Sequence, residues 1–416
     1  MKIALFNSLY PPLGIGGSEM SVHYLARGLA RAGHAVQVVS ENTGPETVHE
    51  MQGDIAVTRL GNGPGFGPNI LDEPRPVRLQ ARSRVKEPAF RTRFEAALPD
   101  FAPDVIHTNV IGNLRRIWQF GRELGVPVVH TLRSYTMLCP RRMMRPEGPC
   151  ARQCRDCAAP RGRRAARDDS SGIDAVVGIS RHVLKVHREA GWFADVRSSA
   201  VIANSYELPG PPGAGAPTPD GPAEEPAPPP GPPKSFALGY IGRLHATKGV
   251  EAFLSAAAAT PAARGRRILV AGTGNPEYVA ALKARFETPD VVFAGHIEPA
   301  AFFEAVRFCV VPSVWYEPFG RIFVEALAHG VPVLASVRGG GAEVIDAGTG
   351  ILFDPGRPEE IVAALEAALA LSDAAHDAMV RACRERADLY STERIARTYL
   401  DLYARVTGIP LDAEPS

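Results

Sequence analysis

MKIALFN (1–7), SLYPPLGIGG (8–17) and SEMSVHYLARGLARAG (18–33), followed by AVQVVS (35–40), decide the architecture of this chain. The first run is short and apolar, as a strand covered on both faces is. The second carries two prolines and three glycines and reads as a loop. The third places Val22, Leu25, Ala26, Leu29 and Ala30 at helical spacing, with Gly33 as its stop and Ser18 as a candidate cap. AVQVVS is a strand again. Strand, glycine loop, helix and strand in that order open a doubly wound α/β sheet, and Gly16-Gly17 sit where a ligand phosphate would meet the helix start.

The same alternation recurs at DVIHTNV (104–110), VPVVHTL (126–132) and AVVGIS (175–180). A stretch dominated by Pro, Gly and Ala then spans 209–233; such composition cannot fill a core and reads as a linker. A second alternating series begins at SFALGYIGRL and continues through RRILVAGTG, VVFAGHI, FCVVPSV and VPVLASV. With 416 residues, two or three domains are expected. The division read here is a first Rossmann-like domain over 1–208 with an insert at 139–167, the linker at 209–233, a second domain over 234–385, and terminal helices over 386–416.

No apolar run reaches the ~18 residues of a membrane span, and the N-terminus has no signal-cleavage pattern, so a cytoplasmic protein is expected. The net charge of +1 is uneven. Residues 1–208 hold 28 Lys+Arg against 20 Asp+Glu, and residues 209–416 hold 18 against 25. The basic half is the side for an anionic acceptor or for peripheral contact with a membrane face, ordinary solvated charge being the alternative. Two stretches concentrate it: 75–93, with seven cations against Glu87, and the insert, with nine Arg against Glu147 and Asp156. Neither has the aromatic interleaving of a nucleic-acid surface.

Three motifs in the second half carry chemistry. EPFGRIFVE places Glu317 and Glu325 around a Pro-Phe-Gly turn and a helix start. In a continuous helix they would lie about 12 Å apart on one face. With the turn, Glu317 bends over a helix N-terminus whose free N–H groups suit a phosphate. GRLHATKG (242–249) follows a strand and sets Arg243 and Lys248 on one short loop, a fork and a point charge converging on a diphosphate. AGTGNPEY (271–278) brings Gly272 and Gly274 into another post-strand loop.

The E-x7-E pattern and G-R-x-x-x-x-K-G together resemble the retaining GT-B glycosyltransferases of family 4, and the resemblance covers nearly the whole chain. It implies two Rossmann-like domains facing a central cleft, with the last helices crossing back to the first. It implies transfer of a sugar from a nucleoside diphosphate sugar to an acceptor hydroxyl of a glycan, lipid or small molecule, with retention and no metal required. Arg243 and Lys248 would neutralise the leaving diphosphate. Glu317 would bind sugar hydroxyls, with Gly16, Gly17, Phe319 and Gly320 near sugar and phosphate. Glu325 would hold the ribose, Gly272 and Gly274 would border the nucleotide, and His296 and Ile297 would lie near the base. His130, ending the strand VPVVH, would point at the sugar. Asn204 matches the family's proline-Asn-Gly segment only in part. A sugar phosphorylase, an epimerase of similar fold and a non-catalytic nucleotide-sugar-binding module are the alternatives.

Of six cysteines, Cys139, Cys150, Cys154 and Cys157 fall within 19 residues as C-x10-C-x3-C-x2-C. Four such thiolates can close a tetrahedral structural zinc site. Free thiols remain the main alternative, with disulfides and an iron–sulfur centre behind them.

Overall fold

The computed structural model describes residues 1–13, 16–42, 44, 46–61, 97–98, 100–110, 114–139, 170, 172–207 and 234–411. The 209–233 linker, the basic stretch 75–93 and all of the 139–167 insert except Cys139 lie outside them.

Two sheets organise the chain. In the first, β1 (Lys2–Phe6), β2 (Ala35–Glu41), β3 (Val48–Gln52), β4 (Ile55–Leu60), β5 (Val105–Thr108), β6 (Val128–Leu132), β7 (Ala175–Gly178) and β8 (Ser198–Val201) are ordered β3-β4-β2-β1-β5-β6-β7-β8. Every pairing is parallel except β3 with β4. That edge hairpin turns at Gly53, φ +59°, and was not legible from apolar periodicity because β3 is largely exposed. The second sheet contains β9 (Phe236–Ile241), β10 (Ile268–Ala271), β11 (Val291–Gly295), β12 (Val306–Val311), β13 (Val333–Ser336) and β14 (Gly350–Phe353), all parallel, in the order β11-β10-β9-β12-β13-β14. These are two doubly wound sheets. In each, the order reverses beside the first strand, between β1 and β5 and between β9 and β12. Ligands of such sheets bind at the carboxyl ends of the strands, at that switch point.

Helices cover the faces: α1 (Gly17–Arg31), α2 (Leu114–Leu124) and α3 (Arg181–Glu189) on the first sheet, then α4 (Val250–Ala259), α5 (Pro276–Phe286), α6 (Pro299–Ala305), α7 (Arg321–Ala328), α8 (Pro358–Leu369) and α9 (Asp373–Ala387) on the second. The division at 385/386 falls inside α9; the chain leaves the second sheet through the turn Asp388–Tyr390. α10 (Thr392–Thr407) then packs on the first sheet beside α1, burying Ile395, Tyr399, Leu402 and Tyr403 with Ile3, Leu5, Val22 and Leu25. The approach is close because Gly28 has no side chain: a Cβ there would lie 2.8 Å from Ala396 Cβ. A buried polar chain fixes the register of α10. The His107 ring meets the Tyr403 hydroxyl at 2.6 Å and Thr131 at 2.7 Å, and Thr131 meets the Tyr399 hydroxyl at 3.0 Å. Burial holds His107 far below the usual imidazole pKa, so it is a neutral structural bridge.

Candidate active site

The second sheet's switch point holds the central pair. The loop after β9 turns through a short 3-10 segment, Ala246–Lys248, and ends at Gly249 with φ +73°. A Cβ on Gly249 would overlap the Pro312 carbonyl oxygen, so only glycine lets this loop lie against the one after β12. The Thr247 carbonyl closes the contact by accepting N–H bonds from Val314 and Trp315, both at 3.1 Å. Lys248 is thereby aimed at Glu317: its Nζ donates to Oε1 in an ion pair, and Ser313 Oγ donates to the same oxygen at 2.9 Å. The ammonium also lies 5.1 Å from the Trp315 ring centroid. Glu317 is 7% exposed, so its charge is neutralised inside the protein rather than by water. Arg243 on the same loop is exposed and has no carboxylate partner among the described residues.

After Glu317 the chain turns through Pro318 and Phe319 into α7. Gly320, φ +78°, is the N-cap of α7 and supplies no side-chain cap. Phe319 is buried in the core. Opposite, α1 starts at Gly17 with Gly16 as N-cap, again without a side-chain cap. Ser18 therefore lies inside the helix, 3.5 Å from Asn7 Oδ1, and does not cap it. The two helix starts face each other: a Cβ on Gly17 would lie 3.6 Å from Arg321 Cδ. The Arg321 guanidinium sits 5.7 Å from the Tyr24 ring of α1 and pairs with Glu325 at 2.8 Å, one helical turn on. Burial raises the Glu325 pKa, against the lowering effect of Arg321. Two helix N-termini, one from each sheet, thus bring unpaired N–H groups and positive dipole ends to one cleft.

The remaining glycines serve the packing of neighbouring loops. Gly272, φ +132°, and Gly274 let the loop after β10 run against Gly242 and Leu244, whose carbonyl oxygens a Cβ would overlap. Leu244 N–H donates to Thr273 O at 2.8 Å. Ile297 is buried, whereas His296 is largely exposed, 3.9 Å from Glu298.

His130 is not where the resemblance implied. Its ring is 2% exposed, enclosed by Trp118 at 5.1 Å and Phe193 at 5.8 Å, with Nδ1 2.9 Å from Thr108 Oγ1. Burial lowers its pKa to about 3. The cause is the strand pleat: Val128, His130 and Leu132 face the core against α2, while Val129 and Thr131 face α10. The residue that follows the strand, Arg133, occupies its carboxyl end instead. Its Nε donates to Asn109 Oδ1 at 2.7 Å and its Nη1 to Asn204 Oδ1. Asn204 is thus placed at the carboxyl end of β8 and held by Arg133.

Glu343 reaches across the cleft. Its carboxylate accepts the backbone N–H groups of Arg181 at 2.9 Å and His182 at 2.8 Å, capping α3. Ser180 at the same helix start donates to the Pro318 carbonyl at 2.7 Å. Ser180, Ser313, Tyr24 and Arg133 carry no local motif; only their positions beside the switch points would have flagged them. Cys139 is buried with a free thiol, and its three clustered companions lie outside the described residues.

Two doubly wound sheets closing on one cleft define the GT-B class. The family model described as "Glycosyl transferases group 1" matches residues 235–370, and that described as "Glycosyl transferase 4-like domain" matches 16–204. The chain belongs to this glycosyltransferase family. The glycogen synthase of Mycobacterium tuberculosis is 27% identical over 405 residues, covering 93% of this chain and 90% of its own. The sucrose-phosphate synthase of Thermosynechococcus elongatus superposes with a TM-score of 0.68 at 23% identity, over 98% of this chain and 99% of that one. Anabaena HepE, solved in complex with UDP, gives 0.65 at 17% identity, over 97% and 100%. Among the described residues, no helix is long and apolar enough to cross a membrane.

Proposed function

We propose that this glycosyltransferase moves a sugar from a nucleoside diphosphate sugar to an acceptor hydroxyl, with retention of anomeric configuration. The observation that carries this reading is the Lys248–Glu317–Ser313 cluster at the β9/β12 switch point, opposite Gly16-Gly17. Arg243 and Lys248 supply the charge that stabilises the departing diphosphate, assisted by the uncapped starts of α1 and α7. Glu317, held by Lys248 and Ser313, is preorganised to accept sugar hydroxyls. Glu325 takes the ribose when Arg321 releases it. Retention and a metal-independent reaction follow from the family resemblance, as does a front-face attack in which the leaving phosphate helps deprotonate the acceptor. A uridine diphosphate sugar is the first donor to test, since HepE was solved with UDP.

The test is a thermal-shift panel of UDP, GDP, ADP, CDP and dTDP with their sugars. A ligand at 100 times its Kd adds about 2.7 kcal/mol of stability. One clear responder identifies the base; silence from all of them refutes the donor assignment.

A further inference from the structure

The cleft contains a further cation that the donor reading does not use. Arg133 is 8% exposed, and no carboxylate among the described residues lies within ion-pairing distance of it. Its two hydrogen-bond acceptors are the side-chain amide oxygens of Asn109 and Asn204, which orient a guanidinium without neutralising it. The groups that act on its charge are the Tyr399 and Tyr403 hydroxyls and Glu19, in the first turn of α1, the one carboxylate among them. Burying an unpaired charge is costly, and proteins ordinarily add a carboxylate where the cation has only a structural task. Here two asparagines stand where aspartates would fit.

Position gives the reason. Asn109 follows β5, Arg133 follows β6 and Asn204 closes the segment after β8, so the three meet at the carboxyl edge of the first sheet, beside its β1/β5 switch point. Asn109 is itself anchored, its Nδ2 donating to the Phe6 carbonyl at the end of β1 at 3.2 Å. Arg133 Nη2 has no hydrogen-bond partner among the described residues. A fork held by two neutral acceptors, with one edge free, is shaped for an incoming oxyanion.

We propose that Arg133, positioned by Asn109 and Asn204, forms an anion subsite on the first-domain side of the cleft that recognises a phosphate or carboxylate on the acceptor. This deepens the glycosyltransferase reading and rests on it: the diphosphate cations Arg243 and Lys248 and the carboxylates Glu317 and Glu325 all lie on the second sheet, and the first sheet reaches the donor through the glycine loop before α1, so Arg133 is left for the other substrate. Its charge would select an acidic acceptor over its neutral counterpart, since loss of a charge-assisted pair leaves the buried guanidinium unmatched.

The experiment is calorimetric titration of the full chain saturated with UDP, which fills the diphosphate site first. The probes are glucose 6-phosphate, glucuronate and glucose, with inorganic phosphate and acetate as bare anions. The expected result is binding of at least one acidic sugar about ten-fold or more tighter than glucose, the phosphate and carboxylate arms showing which oxyanion is preferred. Arg133→Met should abolish that difference while UDP still binds. If that variant fails to fold, Asn204→Asp keeps the guanidinium buried and supplies the missing carboxylate; it should leave the melting temperature unchanged or higher and remove anion binding. UDP binding with no preference for either acidic sugar, or a preference that survives Asn204→Asp, overturns the subsite. Failure of UDP itself to bind points to the donor reading instead.

Discussion

Replacing Lys248 by alanine tests the centre of the site. Lys248 is the only cation paired with Glu317 among the described residues, and Glu317 is 7% exposed with Ser313 as its other side-chain partner. Truncation leaves that carboxylate buried with one hydroxyl, which costs about 1–3 kcal/mol of stability. In the reaction the loss is separate: one preorganised charge contact to the developing diphosphate is worth about 2.7–4 kcal/mol, or about 100- to 1,000-fold in turnover. The two effects separate in a double-mutant cycle with Glu317→Gln, read once by denaturant melts and once by release of nucleoside diphosphate from the donor that the thermal panel identifies. Stability should show coupling, because both side chains form one pair. Turnover should fall by at least ~100-fold in Lys248→Ala whatever stands at 317. Near-normal turnover in the single variant would remove Lys248 from the catalytic site, and purely additive melts would mean that the pair contributes nothing to the fold.

Acid stability carries a second signature. Burial lowers the pKa of His130 to about 3 and of His187 to about 4, whereas both titrate near 6.5 when unfolded. The unfolded chain therefore binds more protons below pH 6.5, and stability is lost as pH falls, by up to about 1.4 kcal/mol per pH unit for each ring. His130→Phe should flatten the loss between pH 7 and 5 in denaturant melts; an unchanged slope would mean that the native ring accepts its proton. Glu343→Gln removes the charge that caps α3 across the cleft, at a cost of about 1 kcal/mol, and should lower the melting temperature and raise the radius of gyration in X-ray scattering. Identical values for both would mean that the Glu343 cap does not hold the two sheets together. Metal analysis of the purified chain should find about one zinc, held by Cys139, Cys150, Cys154 and Cys157; a metal-free protein with four titratable thiols would refute the zinc site.

The sequence by itself determined what depends on near neighbours. The period of MKIALFN and of SEMSVHYLARGLARAG marks a strand and a helix because burial of one face repeats with the backbone. Gly249, Gly272 and Gly320 are legible because a tight loop at positive φ excludes most side chains. Arg243 and Lys248, and Glu317 and Glu325, were legible as motifs because each pair sits on one loop or helix. Only the tertiary structure decided which distant groups meet. Lys248 faces Glu317, 69 residues on, because the strand order reverses between β9 and β12. Glu343 caps a helix 162 residues earlier in the chain. His130 and Arg133 are three residues apart, and nothing local says which one meets the cleft. The packing of Trp118 and Phe193 against one face of β6, and of α10 against the other, encloses the imidazole and leaves the guanidinium at the strand's open end. A charge buried without a counter-charge has no sequence pattern, since it is defined by carboxylates that stay away, and those are set by the path of the whole chain.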